Sequence, residues 1–159
     1  MNISSALLAG FIATVVLTTL VAGSQELRLT RLSLPFILGT IFTQDRDLAK
    51  VIGIGIHFIN GWWIALIYAA VFASLGMASW WLGAGMGLVQ AFFVLTVVMW
   101  VLPGLHPRMA SEQRGPAPTR QLEPPGFLAL NYGRRTPVVV VIGHVVYGAI
   151  LGILYHLPG

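Results

Sequence analysis

The chain has 159 residues, 57% of them hydrophobic and only 9% Asp, Glu, Lys or Arg, against about 25% charge in an ordinary soluble domain. All of its nine basic and five acidic residues fall within 26–50 and 108–135, so 1–25, 51–107 and 136–159 carry no formal charge. That distribution excludes a soluble globule, and the lack of cysteine excludes disulfides, thiolate metal sites, iron–sulfur clusters and cysteine nucleophiles.

A membrane-crossing helix takes about 20 mostly apolar residues at roughly 1.5 Å each. In chain order the charge-free blocks predict four spans, 5–23, 51–75, 80–102 and 137–157, with 76–79 as the turn between the second and third. Ala22, Gly23 and Ser24 follow an apolar stretch as a cleavage site would, but no Lys or Arg precedes that stretch, so the first span is expected to be retained. Residues 34–42 are apolar yet too short to cross and read as an interfacial or re-entrant piece, with 126–130 as their counterpart. The stretch 102–124, with Pro103, Pro107, Pro116 and Pro118, is expected to be ordered by contacts with the bundle or a partner.

Every Lys and Arg lies in the loops 24–50 and 103–136, which two intervening spans place on the same side. The positive-inside rule makes that side the cytoplasm and both termini external. The net charge of +4 divides into +1 and +3 for the two charged windows. It reflects topology and attraction to anionic headgroups, with no nucleic-acid partner. Arg31, His106, Arg108, Arg120, Arg134 and Arg135 are the candidate headgroup or partner contacts.

The second and fourth spans repeat a pattern. His57, Gly61 and Tyr68 have the same separations as His144, Gly148 and Tyr155, and eleven helical residues return to within about 20° of their start. Thr30-Arg31 and Thr119-Arg120 recur in the loops, and Ala13, Leu17 and Thr18 match Ala91, Leu95 and Thr96. One membrane domain, 1–159, made of two similarly oriented halves, 1–78 and 79–159, is therefore expected. Gly83 and Gly87, Gly148 and Gly152, and Ala65, Ala69 and Ala73 recur every four residues, the spacing that lets membrane helices approach closely. They serve packing inside the bundle, together with Gly61, or contact with another protein.

The sharpest chemical pair is His57 and His144, each six residues beyond the helix starts taken at Val51 and Val138. Ionisable groups at membrane depth face the interior and mark functional paths. The pair suits a haem iron, a metal ion or a polar ligand, with Asn60, Tyr68 and Tyr155 as further candidate ligand-binding residues. The plainer alternative is that each imidazole bonds a backbone carbonyl as interhelical glue. No Asp or Glu lies within the spans, which weakens a metal site, a serine triad and proton-coupled transport alike. Asp45 and Asp47 offer a short carboxylate pair for a lipid-headgroup enzyme, but a solvated boundary turn explains them as well. His156 reads as an interfacial residue.

The His-x-x-x-Gly pattern of the even-numbered spans, with Tyr toward their far ends, resembles small four-span bacterial inner-membrane proteins of unknown function. The resemblance implies a bundle in a bacterial plasma membrane and carries no activity. The expectation is an all-α integral membrane protein of four transmembrane helices that is not an enzyme. Its first reading is an accessory or scaffold subunit of a larger, energy-transducing complex, with membrane-protein subunits as partners. The alternative is a lipid- or small-ligand-binding protein using His57 and His144, in its sharpest form a bis-histidine haem b protein; no cofactor is otherwise expected.

Overall fold

A computed structural model of the chain describes residues 1–111, 114–115, 117–120 and 122–157; Pro116 lies outside them. Among the described residues the structure is helical, without strands. Six α-helices are present: α1 (Ile3–Glu26), α2 (Leu34–Gly39), α3 (Arg46–Leu75), α4 (Trp80–Phe93), α5 (Met99–Leu105) and α6 (Thr136–Leu154). A π-helical turn, Val94–Val98, joins α4 to α5, so four helices are long and apolar enough to cross a membrane: α1, α3, α4 through α5, and α6.

Local chemistry sets the helix ends. Asn2 caps α1 by accepting from the Ser5 amide at 3.1 Å. Asp45 caps α3, its Oδ1 accepting from the amides of Asp47 and Leu48 at 3.0 and 2.8 Å. With that cap in place α3 begins at Arg46, five residues before the expected span start, because an exposed first turn tolerates charge. At its far end Gly76 adopts φ 64°. Its amide bonds Ala73 and that of Met77 bonds Phe72, a pairing that closes a helix on a left-handed glycine. α6 stops at Leu154, so Tyr155 sits just beyond it in extended backbone and not on the helix face predicted for it. The interfacial piece 34–42 forms α2, with Pro35 in its first turn. Its expected counterpart near 127 is instead a distorted turn in which Leu128 and Ala129 have φ of 50° and 59°.

Packing is ordered by small residues. α6 packs most extensively against α4 and also against α1, α1 packs against α3, and α2 lies on α3. A Cβ at Gly83 or Gly148 would strike the other's backbone carbonyl, one at Gly87 would strike that of His144, and one at Gly152 that of Ser79. In the other hairpin Gly61 meets the Thr14 side chain and Gly10 meets the Ala65 methyl. α3 and α4 scarcely touch, although only a short turn separates them. Ala65 of α3 is spent on α1, and Gly83 and Gly87 of α4 on α6, which leaves the packing open on one side.

The start of α1, Tyr155 after α6 and the 76–79 turn lie at one end, where the Tyr155 hydroxyl accepts from the Asn2 amide at 3.0 Å and the Phe72 and Tyr155 rings pack together. The connecting segments gather at the other end. There Thr30 and Thr136 share a buried hydroxyl bond of 2.7 Å. The outer faces carry Trp63, Val89 and Trp100, each at least 66% exposed, an arrangement that a hydrocarbon surrounding accounts for and water does not.

Candidate functional site

A cavity of about 250 Å³ lies near the segment end, enclosed by α1, residues 32–36, α3 and α6. Leu17, Val21, Leu34, Ile54 and Val140 give it apolar walls; His57 and His144 line it with Thr18, Gln25 and Lys50. Lys50, Ile54 and His57 share one face of α3 because they stand at i, i+4 and i+7. Val140 and His144 are one turn apart on α6.

Most polar groups on these walls are committed within the protein. Thr18 donates to the Thr14 carbonyl at 2.7 Å and the Gln25 amide donates to the Leu32 carbonyl at 2.5 Å. Lys50 pairs with Asp47 at 2.9 Å. His144 Nδ1 bonds the Val140 carbonyl at 2.8 Å. That carbonyl can only accept, so Nδ1 carries the proton and Nε2 is left over. His57 is only 8% exposed and forms no hydrogen bond among the described residues. A buried polar group without a partner is costly, and a side chain able to reach cavity contents is where such a cost is offset.

Of the five residues expected to bind a ligand, the structure brings only the two histidines to this cavity. Asn60 is exposed on α3. Tyr68 donates to Gln90 Oε1 at 2.8 Å and packs edge-on against Tyr147 with ring centroids 6.0 Å apart. Tyr155 is taken up by Asn2. The histidines also begin at different offsets from their helix starts, eleven residues after Arg46 and eight after Thr136. A macrocycle as large as haem does not fit this space, which falls below the roughly 300–1,000 Å³ of drug-sized sites. Among the described residues no three His, Asp or Glu side chains gather as a metal set.

Reading the sequence alone missed Tyr147, whose hydroxyl donates to the Gly61 carbonyl at 2.6 Å and so ties α6 to α3 just beyond the histidines. It also missed Leu17 and Val21, although their four-residue spacing on α1 was available as a signal. The Lys50–Ile54–His57 spacing was equally available.

The expected headgroup contacts divide sharply. His106 is 1% exposed; its Nε2 donates to the Ile37 carbonyl at 2.9 Å and its Nδ1 accepts from the Arg108 amide at 3.1 Å. Burial holds its pKa below the usual 6.5, the charges of Arg108 and Arg114 push the same way, and the Ile37 bond opposes them. Arg108 donates to the Thr40 and Ile41 carbonyls at 2.5 and 2.8 Å, closing the end of α2. These two residues therefore face inward, away from any headgroup. Arg31 pairs with Glu123 at 3.1 Å and donates to the Asn131 carbonyl. Arg120 folds onto the Gly115 carbonyl at 2.9 Å. Arg134 and Arg135 stand exposed before α6 and remain available. Arg114, not singled out from the sequence, donates to the Pro103 and Gly104 carbonyls at the end of α5, where cations are favoured.

A second hollow, about 580 Å³, runs between α3 and α4 and is lined by Ile64, Ile67, Trp81, Met86, Val89 and Phe93 among others. No family model matches the chain, and comparison with curated proteins and with solved structures gives no match.

Proposed function

We propose that the protein is a four-span membrane protein that binds a small amphipathic ligand in the cavity around His57 and His144, without catalysis. The observation that carries this reading is His57: nine-tenths buried, without a hydrogen-bond partner among the described residues, and on the wall of a largely apolar cavity that His144 also lines. Asp45 serves as a helix cap and Asp47 pairs with Lys50 at the surface, which supports the boundary-turn reading of these two residues over a headgroup enzyme. The bilayer accounts for the exposed apolar faces. The concentration of Lys and Arg at the segment end favours a cytoplasmic position for that end and external termini. A bacterial plasma membrane follows from the resemblance noted above, and the two-half reading is supported by Gly61 and Gly148, each of which meets the preceding span of its own half.

The test is extraction from native membranes in mild detergent, followed by native mass spectrometry and identification of the small molecules that copurify. A bound species lost in His57→Leu is the expected result. A protein that carries nothing, at full purity and with its fold intact, overturns the reading.

An accessory-subunit role is the second reading. Its original motive, small residues free for partner helices, is weakened, since Gly83, Gly87, Gly148 and Gly152 are all consumed between α4 and α6. The α3–α4 hollow favours it, as an apolar recess that a neighbouring helix's side chains would fill. The same native spectra decide this: stoichiometric recovery with larger subunits supports it, and recovery alone removes it.

A further inference from the structure

The hydrogen-bonding capacity left over in the histidine cavity is specific enough to select a head group. This step rests on the ligand-binding reading above. His144 donates through Nδ1 to the Val140 carbonyl, so an uncharged ring presents only an acceptor, Nε2, to the cavity. His57, with no partner in the protein, presents one donor and one acceptor. Lys50, the only cation on the wall, is already paired with Asp47. Ser33 adds a hydroxyl that does not cap α2, and Leu17, Val21, Ile54 and Val140 are among the apolar lining.

An oxygen that only accepts, as in an ether, an ester or a carbonyl, satisfies His57 but sets acceptor against acceptor at His144. An anionic head does the same and must give up its hydration among apolar walls with no free cation beside it. A hydroxyl matches both rings, donating to His144 Nε2 while accepting from the His57 N–H. The cavity's 250 Å³ is space for about eight water-sized groups at roughly 30 Å³ each, enough for a hydroxyl on a ring or the first carbons of a chain.

We propose that the cavity holds an uncharged, single-tailed amphiphile with a hydroxyl head, a long-chain phenol or alcohol, clasped between His57 and His144. Two residues widely spaced in sequence thereby form one donor–acceptor pair, and Gly87 contributes from behind, because its lack of a side chain sets the depth at which the His144 backbone rests on α4.

The test uses the full chain in lipid nanodiscs, with imidazole-nitrogen NMR as the readout and three probes of equal tail length: para-dodecylphenol, its methyl ether and dodecanoate. The phenol is expected to shift the His57 and His144 signals saturably and to bind about tenfold more tightly than the ether, the ratio expected for one buried hydrogen bond. In His144→Phe that ratio should collapse to near one, because the phenol loses its acceptor and the ether loses the acceptor that opposes it. Should this variant fail to fold by circular dichroism and elution volume, the wild-type comparison decides on its own. Equal binding of phenol and ether overturns the hydroxyl assignment while leaving a ligand cavity. Tighter binding of dodecanoate overturns it in favour of an anionic head. If no probe, and no molecule that copurifies from the native membrane, moves either histidine signal, the ligand-binding reading falls as well.

Discussion

The two hairpins of this protein solve the same packing problem in different ways. Between α4 and α6, glycine faces glycine and backbone rests on backbone along Gly83, Gly87, Gly148 and Gly152. Between α1 and α3 the contact runs through Thr14, Gly61, Gly10 and Ala65, and toward the segment end the bulkier Leu17, Val21 and Ile54 hold the helices apart around a cavity. In a membrane, where lipid supplies no hydrophobic drive between helices, close approach is gained from small side chains. Where they give out, a space opens, and here that space contains the unpartnered histidine.

The largest effect should come from breaking the close hairpin. Gly148→Leu drives a side chain into the Gly83 carbonyl, and overpacking of this kind costs about 3 kcal/mol or more; thermal unfolding in detergent should show a fall large enough to leave little folded protein. The same change at Gly85, where an added Cβ meets nothing, should leave the melting curve near wild type. If both positions respond alike, the contrast between hairpins is wrong.

Tyr147→Phe removes the hydroxyl bond to Gly61 and tests the tie between the two hairpins. A loss of about 1 kcal/mol is expected, read in the same melts, with a further loosening of ligand at the neighbouring histidines.

The segment end should respond to acid. Because burial lowers the folded pKa of His106 beneath its ordinary 6.5, the unfolded form takes up a proton first as the pH falls. The contribution of His106 is therefore complete above about pH 6.5 and is lost progressively below it. Hydrogen exchange at the Thr40 and Arg108 amides should accelerate over that range in the wild type. His106→Gln should exchange faster at neutral pH and show a flatter acid response; identical profiles would deny His106 its role in holding the 106–110 stretch on α2.

Smallest of all should be Gly55→Ala on the outward face of α3, where nothing lies within 4 Å of an added Cβ. Better helix propensity predicts a gain of about 0.5–1 kcal/mol, and a loss would reveal a contact on that face.

The four long helices were legible because charge is confined to two windows. Their limits were less so: Asp45 caps α3 strongly enough to bring Arg46 and Lys50 into the helix, whereas α6 ends before Tyr155, which turns to meet Asn2. Histidine depth was counted from those limits and shifted with them. That His57 and His144 would line one cavity was one of two readings of their pattern, and the other, a bond to a backbone carbonyl, holds for His144. That Asn60 would be exposed did not, since composition gives no account of which neighbour covers a helix face. His106 and Arg108 looked like surface donors because loop residues with charge usually are. Only the placement of α2, set by Gly39 against Ala49 and Gly53 against Pro35, supplies the carbonyls that draw them inward.

α6 is the only helix with substantial contact to both α1 and α4, and it brings His144 and Tyr147 with it. It is also made later than the other three. During synthesis, then, the earlier spans enter the bilayer as an α1–α3 pair and an isolated α4, with one wall of the histidine cavity still missing. A ribosome stalled before Thr136 would leave the cavity without the wall that carries Val140 and His144, and completion of that helix is the moment at which this space closes.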